Sequence, residues 1–211
     1  MSDGSSSNHT HSVTVLKAGF LAVLVNLLLA GFKMTVGLLS NSVAITSDAL
    51  HGLIDTISGL VVIISEKIGS VKRIKLSHEK IERIGAVFIA MIILMVGIHI
   101  IVESVEGLIN PEPIEYSLSA IVVMIISIIS KALLGRYLRI TGERVASSTL
   151  IASSVETIND SLISGAVLFS ILVHLIWQIN IEPCVSLIIS ILIIKHGIEL
   201  IIPSHSLKHR H

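Results

Sequence analysis

The sequence predicts an all-α membrane protein: a six-transmembrane-helix bundle with both termini cytoplasmic. Three observations predict it. Hydrophobic residues make up 52% of the 211 and charged residues only 14%, with a mean hydropathy of +0.89. Soluble domains carry about 25% charged residues. Six apolar segments recur along the chain, each about 20 residues or more, enough to cross a ~30 Å hydrocarbon core at ~1.5 Å per residue. The Lys and Arg residues fall in alternate loops.

The segments lie near 17–39, 43–65, 84–108, 116–136, 147–175 and 183–202. The fifth is overlong and is expected to tilt or to end in the interface near Trp177. Residues 1–16 are rich in Ser, Asn and His and read as a disordered cytoplasmic tail. Residues 17–203 form the transmembrane domain, and 204–211 a short cytoplasmic tail. Orientation follows from charge. Lys67, Lys72, Arg73, Lys75, Lys80 and Arg83 flank the second connection, Arg136, Arg139 and Arg144 the fourth, and Lys208 and Arg210 the C-terminus. The alternate connections carry Glu112, Glu115 and Glu182 and no Lys or Arg. Positive charge marks the cytoplasmic side, so the expected location is the cell membrane, multi-pass.

Composition also excludes. One cysteine, Cys184, rules out an internal disulfide and a cysteine-based zinc site. The net charge of zero says nothing about nucleic acid, but there is no basic patch with interleaved aromatics, so no nucleic-acid partner is expected. The first apolar run is long enough to span, unlike the h-region of a cleaved signal peptide.

The second segment holds Asp48-Ala-Leu-His51-Gly-Leu-Ile-Asp55. His51 and Asp55 are four apart and share a helix face; Asp48 extends the stripe. The pattern recurs in the fifth segment, where Glu156 aligns with His51 and Asp160 with Asp55. Two helices each offer a pair of metal-competent side chains, and two pairs make a tetrahedral site. Asp55 lies about 12 residues, or about 18 Å, from the outer end of its segment, and Asp160 is at similar depth. Buried charges in a bilayer are costly and usually face partners or a cavity. The plainer reading is a polar cluster joining two helices; duplication of the His/carboxylate pairs favours a metal site.

Other ionisable residues have separate readings. Lys33 is expected to pair with Asp48, since both lie roughly 8–9 Å deep. Lys131, near the inner end of segment four, is placed to snorkel. Lys195 and Glu199 can pair along one helix. Glu103 and Glu106 approach the outer surface, as a cation-attracting vestibule or as interface residues. His99 and His174 read as packing residues.

These motifs together resemble the cation diffusion facilitator family of metal/proton antiporters. Asn26 and Lys33 resemble the first-helix Asn…Lys pair, and Asp48 to Asp55 the second-helix metal motif. His78-Glu-Lys80-Ile-Glu82 is similar to the run entering the third helix, and Glu103 through Asn110-Pro111-Glu112-Pro113 to the end of that helix. The resemblance implies the ligand set His51, Asp55, Glu156 and Asp160, with Asp48, Lys33, Asn26 and Glu103 along the ion path. It covers nearly the whole chain and has two departures. Glu156 stands where the family usually has His. The ferredoxin-like cytoplasmic domain that usually follows is not in this sequence, so the chain is expected to be either a short family form or part of a longer one, and a homodimer is left open.

The implied function is efflux of a divalent transition-metal cation coupled to proton antiport. Zinc ranks first; iron, manganese, cobalt and cadmium stay open, because oxygen ligands favour the harder ions. Metal and protons are the substrates, the lipid bilayer is the surround, and no organic cofactor is expected. Three carboxylates and a neutral imidazole carry −3, so a bound dication leaves −1. That charge calls for a protonated Glu156 or Asp160, or for a nearby cation. A rival is a membrane metal-binding or sensing protein that does not transport. An intramembrane metallohydrolase would need an open coordination position and a base, as in HExxH. No such motif is present, so the chain reads as a secondary transporter and not an enzyme.

Overall fold

The computed structural model describes residues 3–69, 75–110, 114 and 116–201. They form six α-helices: α1 (Asp3–Leu39), α2 (Val43–Gly69), α3 (Lys75–Ile109), α4 (Leu118–Arg144), α5 (Ser148–Trp177) and α6 (Glu182–Ile201). Each covers all or nearly all of one of the six apolar segments. Among the described residues, four helical stretches are long and apolar enough to cross a membrane, namely Val13–Leu39, Ala90–Ile109, Leu118–Arg144 and Ser148–Trp177. The other two helices, α2 and α6, carry Asp48, Asp55, Lys195 and Glu199.

Several helices overrun the apolar segments. α3 starts at Lys75 and α4 runs to Arg144. Hydropathy marks only the part of a helix in hydrocarbon, and a formed helix adds residues without a new nucleation step. The same holds for residues 3–16, expected to be a disordered tail but drawn as part of α1. Lys67, Lys80 and Arg83 lie in helices, but their side chains fall outside the described residues, as does all of Lys72, Arg73, Glu112, Glu115 and the tail after Ile201.

The bundle is apolar outside and polar within. Phe20, Leu39, Leu118 and Trp177 are among many large side chains left exposed, an arrangement that suits lipid contact and not water. Inside, Val36, Ile45, Ile54, Ile93, Ile100, Met124, Ile171 and Ile193 form the main core. Buried hydroxyls bond back to their own helices: Ser47 to the Val43 carbonyl at 2.6 Å, Thr56 to Gly52 at 2.6 Å and Ser186 to Glu182 at 3.0 Å. Such back-bonding satisfies a polar group where water is absent.

Two interhelical turns have one design. The nitrogens of Ser40, Asn41 and Ser42 bond to the carbonyls of Val36, Leu38 and Gly37 at 3.0, 3.3 and 2.9 Å. Those of Val145, Ala146 and Ser147 bond to Thr141, Glu143 and Gly142 at 3.0, 3.4 and 2.8 Å. The middle residue of each, Asn41 or Ala146, is left-handed, with φ of 51° and 50°. Ser42 and Ser147 then cap α2 and α5 by accepting from the nitrogens of Ile45 at 3.2 Å and Leu150 at 3.4 Å. The glycines also match: a Cβ at Gly37 would meet Thr46 Oγ1 at 2.7 Å, and one at Gly142 would meet Ile151 Cγ1 at 3.0 Å. Small residues there let the paired helices approach. The repeat seen in the metal motifs therefore includes the turn before each.

The two turns lie at opposite ends of the bundle. Glu182 accepts from Ser42 Oγ and from the Ala44 nitrogen, both at 2.8 Å. Tyr116, just ahead of α4, donates to the other Glu182 oxygen. The α1–α2 turn, the start of α4 and the start of α6 are thus gathered at one end. The α4–α5 turn is a helix length away.

Candidate metal centre

Helix α2 brings His51 and Asp55 inward one turn apart, and α5 brings Asp160 inward with Glu156 one turn away, exposed on the cavity wall. His51 Nε2 lies 3.4 Å from Asp55 Oδ2 and 3.6 Å from Asp160 Oδ1. Single donor atoms of His51, Asp55 and Asp160 lie within 4.8 Å of one another, and all three residues are buried. Asp55, Glu156 and His196 make a second such trio. Glu156 therefore joins the cluster from its outer side, through Asp55 and α6.

His196 is the participant that sequence reasoning missed. Its Nδ1 lies 3.5 Å from Asp55 Oδ1. One signal was available: His196 sits between Lys195 and Glu199 in an otherwise apolar segment.

Lys131 corrects a second reading. It does not snorkel; it is 2% exposed and its Nζ meets Asp160 Oδ2 at 2.6 Å. Gly52 of α2 lies beside it: a Cβ there would stand 3.4 Å from that nitrogen. Depth along the chain placed Lys131 near the helix end, but α4 runs on to Arg144, which puts the lysine well inside.

Lys33 and Asp48 pair as expected, Nζ to Oδ2 at 2.8 Å, both 1% exposed. Ser164 completes the group, accepting from Lys33 at 2.8 Å and donating to Asp48 Oδ1 at 3.3 Å. This set joins α1, α2 and α5 about one turn from His51.

A cavity of about 710 Å³ reaches the cluster, lined by His51, Asp55, Glu156, Asp160 and His196. It runs past Leu138, Thr149 and Glu199 to the end that carries the α4–α5 turn. Asn26 lines it as well, and its buried Oδ1 has no hydrogen-bond partner. Glu103 lines neither cavity nor cluster: it is half-exposed on α3, with His99 at 3.9 Å. His99 is itself exposed and does not pack, whereas His174 stacks edge-on against Tyr116 with ring centroids 5.4 Å apart. Lys195 and Glu199 pair at 3.8 Å on the surface. The side chains of His78, Glu79, Lys80 and Glu82 lie outside the described residues.

At the opposite end, Tyr116 precedes the spanning part of α4. Burial, and then the Glu182 carboxylate beside it, push its phenol well above the usual tyrosine range.

A helical multi-pass bundle with a buried His/carboxylate cluster at the end of a cavity defines a membrane protein built to handle a cation. Comparison with known proteins gives the family. Residues 19–207 match the cation efflux transmembrane domain, and the chain belongs to the cation efflux family. It is 28% identical over 189 residues to an uncharacterised transporter of Methanocaldococcus jannaschii, covering 88% of this chain and 67% of that protein. It is 28% identical over 200 residues to the manganese efflux system protein MneP of Bacillus subtilis, covering 89% and 66%. A cadmium, cobalt and zinc/H(+)-K(+) antiporter of Bacillus subtilis is 27% identical over 165 residues, covering 76% and 53%. The chain thus spans about two thirds of the first two relatives and about half of the third.

Proposed function

We propose that this chain exports a divalent transition-metal cation from the cytoplasm in exchange for protons. The observation that carries the reading is that His51, Asp55, Glu156 and Asp160, from α2 and α5, line one cavity, with His51, Asp55 and Asp160 close enough to share an ion. Membership of the cation efflux family supports it. Metal binding needs neutral imidazole and ionised carboxylates, so protons and metal compete for the same atoms. A site that loads metal when it faces the cytoplasm sheds it when it faces a more acidic side.

Charge is consistent with this chemistry. The four donors carry −3 at most, and Lys131 beside Asp160 supplies +1. A dication then brings the assembly to neutrality without a protonated carboxylate. Oxygen donors outnumber nitrogen, which favours harder ions than a histidine-rich site would. Relatives are named for manganese and for cadmium, cobalt and zinc. Affinity order still ranks zinc ahead of manganese. The cavity opens at the end with the α4–α5 turn, which the charge pattern assigns to the cytoplasm.

Reconstitution tests the reading. Proteoliposomes loaded with a metal-sensitive dye should show uptake of Zn²⁺ or Mn²⁺ driven by an opposing proton gradient. Binding without flux would establish the rival, a membrane metal-binding or sensing protein.

A further inference from the structure

We propose that Asp55, Glu156 and His196 form an outer station for the transported dication, which passes to the buried His51, Asp55 and Asp160 by pivoting on Asp55. The inference rests on the transport reading above and adds a ligand from α6.

Geometry comes first. Donor atoms of Asp55, Glu156 and His196 all lie within 4.8 Å of one another. Ligands about 2.0–2.2 Å from a tetrahedral ion stand roughly 3.3–3.6 Å apart. Small side-chain rotations close the difference.

Asp55 is the second observation. Its carboxylate is 6% exposed, and its two oxygens face different histidines. Oδ2 lies 3.4 Å from His51 Nε2, while Oδ1 lies 3.5 Å from His196 Nδ1. Oδ1 is buried and accepts no hydrogen bond. A buried carboxylate oxygen without a partner is costly, and a cation between it and His196 would relieve that cost.

Electrostatics then orders the two stations. Asp55 and Glu156 supply two negative charges, which match a dication. At the inner station, the Lys131 ammonium already holds Asp160 Oδ2 at 2.6 Å. That leaves Oδ1 to face His51 and sets a fixed positive charge beside the inner station, which opposes a dication there. Glu156 is exposed and His196 half-buried along the cavity, whereas His51 and Asp160 are buried. An ion arriving through the cavity meets the outer station first. Two dications on the two oxygens of Asp55 would repel each other at close range with too few carboxylates to offset them, so one chain holds one ion at a time.

The experiment pairs Zn²⁺ titration calorimetry on the full chain in detergent with Zn²⁺ flux in proteoliposomes. His51→Ala should still bind one Zn²⁺ at the outer station while losing flux, and His51→Ala/His196→Ala should bind none. His196→Ala and His196→Gln should each raise the KM for flux at least about tenfold, given the ~10–100-fold that even second-shell changes cost. A wild-type KM in both His196 variants, or complete loss of binding in His51→Ala with unchanged thermal stability, overturns the outer station and leaves the transport reading standing. Failure of the wild-type chain to bind or move Zn²⁺ or Mn²⁺ overturns both.

Discussion

Lys131 of α4 and Asp160 of α5 are joined at 2.6 Å, Nζ to Oδ2, with both side chains almost fully buried. The ammonium holds one oxygen of Asp160, and the other, Oδ1, faces His51. The lysine is a fixed positive charge beside the inner station, which balances the carboxylates and opposes a dication there.

Replacing Lys131 by Met should therefore tighten metal binding while slowing turnover. Removing one charge at ~4 Å changes the energy by up to about 4 kcal/mol at an effective dielectric of ~20, so a drop in Kd of at least about tenfold is expected. Release becomes harder, and kcat for flux falls. Lys131→Arg keeps the charge and should keep Kd near wild type. Calorimetry beside flux measurements checks both; an unchanged Kd in Lys131→Met removes the competing role.

The Lys33–Asp48 pair predicts a stability effect distinct from transport. Lys33→Met leaves Asp48 buried beside Ser164 without its cation, at a cost of about 3–5 kcal/mol. The double variant Lys33→Met/Asp48→Asn should recover much of that loss. Thermal unfolding in detergent reads the difference. Equal destabilisation in the single and double variants would mean that packing, not charge, is lost.

Glu156→His should retain transport and shift preference toward zinc and away from manganese, because imidazole is the softer ligand. Glu156→Ala should abolish transport. Competition flux assays on the wild type, Glu156→His and Glu156→Gln measure the ranking. The same metal order in all three would show that Glu156 does not touch the ion.

The Tyr116–Glu182 contact gives a pH prediction. The folded protein holds the phenolic proton more tightly than the unfolded chain, whose tyrosine titrates near 10.0. The stabilisation is therefore complete below that pH and is lost as pH rises through it toward the higher folded value. Wild-type melting temperature should fall as pH rises above about 10, the ordinary phenol pKa. Tyr116→Phe should be less stable at neutral pH and show a shallower alkaline fall. Parallel slopes would assign the alkaline loss to other groups.

Topology is open to direct labelling. In a Cys184→Ser background, Glu112→Cys and Lys72→Cys should react with an impermeant thiol reagent from opposite sides of the membrane. Labelling from one side would overturn the assigned orientation.

Much of this was legible in the sequence because burial in lipid simplifies the code. Twenty apolar residues in a row have few alternatives to a helix, so all six helices could be placed. The His51/Asp55 and Glu156/Asp160 pairs were legible because four-residue spacing fixes a helix face. Lys33 and Asp48 could be matched by depth alone, since they sit at equal distances from one short turn. Lys131 could not be. Its depth depends on where α4 ends, and the helix continues past the last apolar residue to Arg144. His196 was hidden for a different reason: it has no counterpart in the repeat, and only the packing of α6 against α2 brings it to Asp55. Glu103 carries charge in a suitable place along the chain, but its helix turns it away from the cavity.

The matching turns at Ser42 and Ser147 have a consequence for how the molecule could change state. Because they occupy opposite ends, the two helical hairpins run in opposite senses through the bundle, the arrangement expected of an inverted repeat. Under such symmetry the two faces of the bundle are near-equivalent shapes, and departures from symmetry set which face is open. Glu182 is one such departure: it binds the Ser42 turn and the Tyr116 hydroxyl at one face. The left-handed residue is another, Asn41 at that face and Ala146 at the other. Asparagine accepts this backbone more readily than alanine does. Residues that contact no ion, Glu182 first among them, can therefore bias which face is open, and loosening Glu182 should weaken closure of its own face.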